Sequence, residues 1–281
     1  MTARKTWQDY GREWLDTLVV AISVAMAFRA YFYEPFKIPT GSMQETLWGN
    51  HTVACAEVGS WQKGLLNRLN WLGTGRDYKE FIASSSGTLF AVDTNNGRYV
   101  MGVASNPKVT VSLPHDVLSK LDLGPKYAGR RLVVHDGQVL AQGAQGRWEN
   151  VVVSAGQKLW SGYDVSGDFI FVNRMTWNFR KPKAGDVMIF GTTGIKGLPQ
   201  GTHYIKRMKA TPGETYVLEH PVTDRPELPT EVTMGPDEYF ACGDNFNNSY
   251  DSRYWGSVPG ANLRGVGSIV FWPFNGWRII R

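Results

Sequence analysis

One apolar run near the start of the chain limits what the rest can be. Leu18 to Phe28 reads LVVAISVAMAF, broken only by the small polar Ser23. With Trp14 and Leu15 before it and Tyr31, Phe32 and Tyr33 behind it, the zone covers about 20 residues, enough for a helix to cross a bilayer core. Asp16 and Arg29 lie towards its two ends, where each can reach an interface. A buried core helix and a cleaved export signal are the competing readings. Cleavage fits poorly, because an extended segment follows almost at once. A retained anchor over residues 14–33 is therefore expected. Arg4, Lys5 and Arg12 precede it, with Asp9 and Glu13 diluting that charge. Basic flanks stay cytoplasmic, so residues 1–13 are expected inside and the bulk of the chain outside.

That bulk has the composition of a folded domain. Its 42% hydrophobic content excludes wholesale disorder. Thirty basic and 25 acidic residues give a formal charge of +5 with no long basic block, so no nucleic-acid partner is indicated. Eleven tryptophans and 12 tyrosines suit a membrane interface as well as a core. Cys55 and Cys242 form neither a metal-ligand cluster nor a disulfide framework, and pairing between the two stays open. The five histidines are scattered without metal-binding spacing, so neither a metal nor a cofactor is expected. His203 reads as a structural histidine or a neighbour of the lysine discussed below.

Short strands dominate the pattern. SWQKGLLNRLNWLG, residues 60–73, has helical spacing of Trp61, Leu65, Leu66, Leu69 and Leu72. Elsewhere RYVMGVA, KVTVSL, RRLVVHDGQVLA, DFIFVNR, GDVMIF, ETYVLE and GSIVFWP read as strands between Gly- and Asn-rich turns. His135-Asp136-Gly137-Gln138 carries an Asp-Gly hairpin signal. The fold class is therefore mainly β behind one N-terminal helix.

Three separated stretches carry candidate chemistry. In EPFKIPTGSM, residues 34–43, Pro35 and Pro39 hold the residues before them extended, and Gly41 lets another backbone approach Ser42. On these residues alone, an ordinary surface serine in a juxtamembrane turn is the plainer reading. In HYIKRMKATPGE, residues 203–214, strand alternation puts Tyr204 and Lys206 on one face and Ile205 and Arg207 on the other. A desolvated lysine loses its proton more easily and can serve as a base, although most strand lysines are solvated. In GDNFNNSYDSRYWGSVP, residues 243–259, Asp244, Asn245, Asn247, Asn248, Ser249, Asp251, Ser252 and Arg253 crowd together. Buried, such a run needs many hydrogen-bond partners; exposed, it is only a polar loop.

Taken together, these stretches resemble the bacterial type I signal peptidases, the Ser–Lys membrane-bound proteases. FKIPTGSM followed by TL is similar to the family's serine box, SGDFIFVNRMTWNFRKPKAGDVMIF to the following strand pair, YIKRMKATPGE to the lysine box and GDNFNNSYDSRYWGSVP to the last box. The resemblance covers residues 13–47, 163–214 and 239–274. It implies a β core in which Ser42 is the nucleophile and Lys206 the general base. It also implies an oxyanion hole from the Ser42 amide and the Thr40 hydroxyl. Ser249 would orient the Lys206 amine, with Tyr204 in support, and Asp251 and Arg253 would form a bridge that props the site open. The implied activity is removal of signal peptides from exported preproteins, with small residues at −1 and −3 of the cut, bound as an added strand. The implied setting is the inner membrane, with the catalytic domain on its outer face in contact with the lipid bilayer and close to the export machinery. The sequence departs from the family at Phe246, Asn247 and Gln44-Glu45.

Lys206 follows Ser42 at greater distance than the family core requires, and the excess falls at 50–162. That stretch reads as an inserted α+β or β subdomain, between catalytic portions at 34–49 and 163–281. A structural cap, a membrane-resting surface and a partner-docking domain are all open for it. Ser60-Trp61-Gln62-Lys63 matches the S-x-x-K of penicillin-binding proteins, but its S-D-N and K-T-G companions are missing. A self-cleaving Ser–Lys repressor would need a DNA-binding helix-turn-helix, which is absent. The rival class is an inert membrane-anchored β scaffold that binds exported proteins, for which Ser42, Lys206 and the polar loop would be superfluous.

Overall fold

The computed structural model describes residues 6–55, 64–94, 96–143, 146–219 and 230–281. Ser60 to Lys63 lie outside the described residues.

Helix α1 (Trp7–Tyr31) is the one described helix long and apolar enough to cross a membrane. It starts earlier than the apolar run implies, because Thr6 and Asp9 form a capping box. Arg12 and Glu13 are thereby drawn into the helix. None of its residues is buried against the rest of the chain. Only Phe32 separates it from strand β1 (Tyr33–Lys37), where Pro35 sits on a sheet edge, the place a strand tolerates a missing N–H.

After a 3-10 turn at Gly41–Met43, the chain leaves the first sheet. It builds β2 (His51–Ala54), α2 (Leu65–Thr74), β3 (Arg76–Ile82), β4 (Gly87–Asp93), β5 (Arg98–Val103) and β6 (Asn106–Pro114). Strands β7 (Leu132–His135), β8 (Gln138–Gln142), β9 (Trp148–Asn150), β10 (Val152–Val153) and β11 (Lys158–Val165) follow. Strands β4 to β10 make one seven-stranded sheet, and β2, β11 and β3 make a three-stranded one. Leu89, Ala91, Met101, Leu113, Val139, Val151, Leu159 and Trp160 form their shared core. The hairpin at His135–Gln138 turns with positive φ at Asp136 and Gly137, as the Asp-Gly pair predicts. The boundary expected between 162 and 163 falls inside β11, which is continuous across it and pairs with β2 and β3.

The chain then returns to the first sheet through β12 (Phe169–Asn173), α3 (Thr176–Phe179), β13 (Val187–Gly191) and β14 (His203–Ala210). A small hairpin of β15 (Thr215–Val217) and β16 (Glu231–Thr233) precedes β17 (Glu238–Cys242). Helix α4 (Ser252–Trp255), β18 (Val258–Pro259), β19 (Leu263–Trp272) and β20 (Arg278–Ile279) complete it. The strand order is β1-β12-β19-β13-β14-β17-β18, with β20 on β19. Both faces of β13 are covered. Val187 and Ile189 pack with Ile38, Met43, Leu47 and Ile170, while Met188 and Phe190 pack with Met208, Tyr239 and Val258.

The two parts meet at the serine segment. Asn50 donates its amide N–H to the Pro39 carbonyl and its side-chain N–H to the Asn96 carbonyl, and its side-chain oxygen accepts from Gly167 N–H. Within the second part, the buried Asp164 of β11 accepts from Lys79 of β3 and Arg98 of β5.

Candidate active site

Lys206 is held in place by strand register. It pairs with Met188 in the middle of β14 and is only 4% exposed. Alternation separates it from Arg207, as the sequence implies. Lys206 points to the buried side with Tyr204, and its Nζ lies 5.9 Å from the Tyr204 ring centre. Arg207 points the other way and clamps Asp244 through two bonds of 2.7 and 2.8 Å. β14 meets β17 only from Arg207 onward. The stretch from His203 to Lys206 therefore has β13 on one side and, among the described residues, no strand on the other. Phe36 of β1 touches His203 ring to ring, so the outer edge of β1 and the open edge of β14 face one another.

Ser42 comes from the opposite wall. Thr40 is extended and enters the Gly41–Met43 turn without capping it, so its exposed hydroxyl is not spent on the turn. Met43 and Leu47 are fully buried and pin the turn to the core. The buried Ser42 Oγ lies 2.7 Å from Lys206 Nζ, across 164 residues of sequence. Burial pulls the Lys206 amine down to about 8, against the opposing pull of Asp251. A lysine so placed is neutral in roughly a tenth of the molecules at pH 7 and in more as the pH rises, and a neutral amine can accept the hydroxyl proton.

The polar loop after β17 closes the site from behind. Asn245 N–H donates to the Ser42 carbonyl and its side-chain N–H to the Gly41 carbonyl, both at 3.1 Å. That approach requires glycine at 243, where a Cβ would stand 2.3 Å from the Ser42 carbonyl oxygen and 2.2 Å from Ser249 Oγ. Asp251 and Arg253 form a buried ion pair at 2.8 Å. Asp251 also accepts from Gly243 N–H, and Arg253 donates to the Phe246 carbonyl. The loop is thus a hydrogen-bonded structural element with Gly243, Ser249 and Asp251 to Arg253 buried and Asn247, Asn248 and Tyr250 exposed, which the polar run alone left open.

The bond expected from Ser249 to Lys206 is not made. Ser249 Oγ is buried with no hydrogen-bond partner. Lys206 directs its amine to Ser42 instead, and Ser249 Oγ lies against Gly243. Cys55 and Cys242 are not joined in a disulfide. Sequence reasoning did not find the Arg207–Asp244 clamp or the Asn50 junction. The alternation that placed Lys206 inward also placed Arg207 opposite it, which was the available signal for the clamp. Asn50 carried none.

The family model described as signal peptidase, peptidase S26, matches residues 163–221 and 218–272. A signal peptidase I of Leptolyngbya laminosa is 32% identical over 127 residues, which is 38% of this chain and 62% of that one. A probable signal peptidase I-1 of Synechocystis is 30% identical over 128 residues, covering 40% and 65%. Signal peptidase I P of Bacillus subtilis subsp. natto is 30% identical over 142 residues, covering 41% and 72%. The chain belongs to the type I signal peptidase family. The segments matched by the family model hold Lys206, Tyr204, Ser249, Asp251 and Arg253, whereas Thr40 and Ser42 precede them. The chain spans less than two thirds of the length of the first two signal peptidases, and much of this chain, including β4 to β10, falls outside the family model.

Proposed function

We propose that this chain is a membrane-anchored serine endopeptidase that removes N-terminal signal peptides from exported preproteins. The observation that carries the reading is the buried 2.7 Å approach of Lys206 Nζ to Ser42 Oγ, with the lysine lowered to about 8. The inert-scaffold reading leaves a desolvated lysine beside a serine without purpose.

The chemistry follows from that pair. Neutral Lys206 takes the Ser42 proton as Oγ attacks the carbonyl carbon of the scissile peptide. The oxyanion accepts from Ser42 N–H and from the Thr40 hydroxyl. Lys206, now an ammonium, returns the proton to the leaving amine, which departs as the new N-terminus of the mature protein. Water then attacks the acyl-serine, giving its proton to Lys206. Oγ leaves and recovers a proton, which frees the signal peptide's carboxylate and restores the pair. The facing edges of β1 and β14 suit a substrate strand added between them. Asp251 and Arg253 hold the loop that carries Asn245, and Tyr204 packs beside the base. The N-terminus is cytoplasmic, the bilayer is crossed by α1 and the catalytic part lies on the outer face, near emerging preproteins.

The test is cleavage of a preprotein with an Ala-x-Ala site by the full chain in vesicles, with the new N-terminus identified by mass spectrometry. Cleavage after the second alanine, lost in Ser42→Ala protein that still melts cooperatively, is the expected result. Preprotein bound but uncut by the unmodified chain would favour the scaffold.

A further inference from the structure

Helix α2 is amphipathic the wrong way round for a helix that serves only as a cap. Asn67, Asn70, Trp71 and Thr74 recur at i, i+3, i+4 and i+7, so they share one face. That face carries the helix's hydrogen bonds and ring contact to the protein, with Asn70 exposed and Trp71 43% exposed. Asn67 donates to Asp77 and accepts from Tyr78 N–H, and Asn70 donates to the Arg76 carbonyl. Trp71 lies against Trp272, whose indole N–H donates to the Leu72 carbonyl. Leu66, Leu69 and Leu72 are left facing outward, 50, 57 and 56% exposed. A soluble helix buries its leucines and shows water its asparagines. Here the polar side provides the attachment and the apolar side stays free. The exposed Phe274 and Trp277 extend the patch, since the turn at Phe274–Gly276 packs against α2.

A run of rings joins this patch to the anchor. Phe28, in the last turns of α1, stacks on Tyr33. Tyr33 meets Phe171, Phe171 stacks on Phe271, Phe271 meets Phe169, and Phe169 meets Trp272, the partner of Trp71. Aromatic rings concentrate where a membrane protein leaves the hydrocarbon, and this row starts at the end of the spanning helix. Arg68 and Arg76, exposed beside the leucines, suit anionic headgroups.

We propose that α2 lies in the headgroup region of the bilayer that α1 crosses, so that this chain rests on the membrane at a second point supplied by the 50–162 stretch. The leucines enter the acyl boundary, and the asparagine face remains on β3. The inference rests on the reading of α1 as membrane-spanning, and it is independent of which residues cut the substrate.

The experiment uses the full chain in phosphatidylethanolamine–phosphatidylglycerol vesicles, with Cys55→Ser to remove the half-exposed thiol. A nitroxide label is placed at Leu69→Cys, in a second protein at Leu72→Cys, and for reference at Asp136→Cys on the distant hairpin. Collision of each label with oxygen, which partitions into lipid, is compared with collision with a water-soluble nickel chelate. The expected result is an oxygen-to-nickel ratio several-fold higher at 69 and 72 than at 136. Equal ratios would overturn the proposal. Labels shielded from both reagents would overturn it too, because a protein surface would then cover the leucines. Preprotein cleavage measured on the same samples separates either failure from a failure of the proposed activity.

Discussion

Gly97, at the turn between β4 and β5, lies against the carbonyl oxygen of Pro39, the residue immediately before Thr40 and three before Ser42. A Cβ built at Gly97 would stand 2.3 Å from that oxygen, and its φ is +71°. The inserted sheet is therefore a wall of the serine segment. Gly97→Val should displace Pro39 and lower kcat on a short peptide, while a change at the open turn glycine Gly137 should not. Asn50→Ala removes the other tie at this junction and should cost about 1–3 kcal/mol of stability. Peptide kinetics and thermal melts of the variants check both. Unchanged kcat in a folded Gly97→Val protein would show that the wall does not act on Ser42.

The lowered Lys206 sets two pH dependences. Activity needs the neutral amine, so kcat/KM should rise with pH and level off above about 8. Lys206→Arg should be inactive, because a guanidinium stays protonated. Stability moves the same way. Between the folded value of about 8 and the unfolded value of 10.5, the unfolded chain binds the extra proton, so the lysine's burden on the fold shrinks as pH rises through that window. Lys206→Met, inactive, should melt higher than the unmodified protein near pH 7, and the gap should narrow towards pH 10. A gap that widens with pH would reverse the assignment.

Thr40 carries the oxyanion prediction. Thr40→Val keeps the shape and removes the donor, so kcat should fall by roughly 10²–10³-fold with KM little changed. Thr40→Ser should remain active. Steady-state kinetics on one peptide series decides it, and an unaltered kcat in the valine protein would place the donor elsewhere.

Ser249 has no bond to lose in the resting site. Ser249→Ala should therefore leave the melting temperature unchanged or slightly raised. If its hydroxyl turns to the Lys206 amine when substrate is bound, kcat should drop while the melt does not move. A drop in stability would instead reveal a partner in the resting protein.

The Asp251–Arg253 pair is buried and holds the Gly243 amide, so its two members should behave unequally when removed singly and together. Asp251→Ala leaves a buried guanidinium without its carboxylate and should cost about 3–5 kcal/mol. Replacing both by Leu and Met should cost less. Denaturant melts of the two proteins test this, and equal losses would mean that the loop does not depend on charge pairing.

Local chemistry in the sequence was sufficient for much of this protein. The apolar run gives a helix, the Asp-Gly pair gives a hairpin, and strand alternation at Tyr204–Arg207 separates the inward lysine from the outward arginine. Those features depend on residues a few positions apart, and the backbone repeats every two residues or every 3.6. Thr6 and Asp9 show the limit of reading hydropathy alone, since a capping box set the start of α1 ahead of the apolar zone. The tertiary structure decided what depends on distant backbone meeting backbone. Nothing near Ser42 states that a lysine 164 positions on will arrive at 2.7 Å. Only the register of β13 with β14 and the pinning of Met43 and Leu47 bring them there. Asn50 looks like any loop asparagine until Pro39, Asn96 and Gly167 converge on it. The outward leucines of α2 have ordinary helical spacing in the sequence. Their meaning appeared only when β3 took the asparagine face, because periodicity defines two faces of a helix and only its neighbours decide which one is buried.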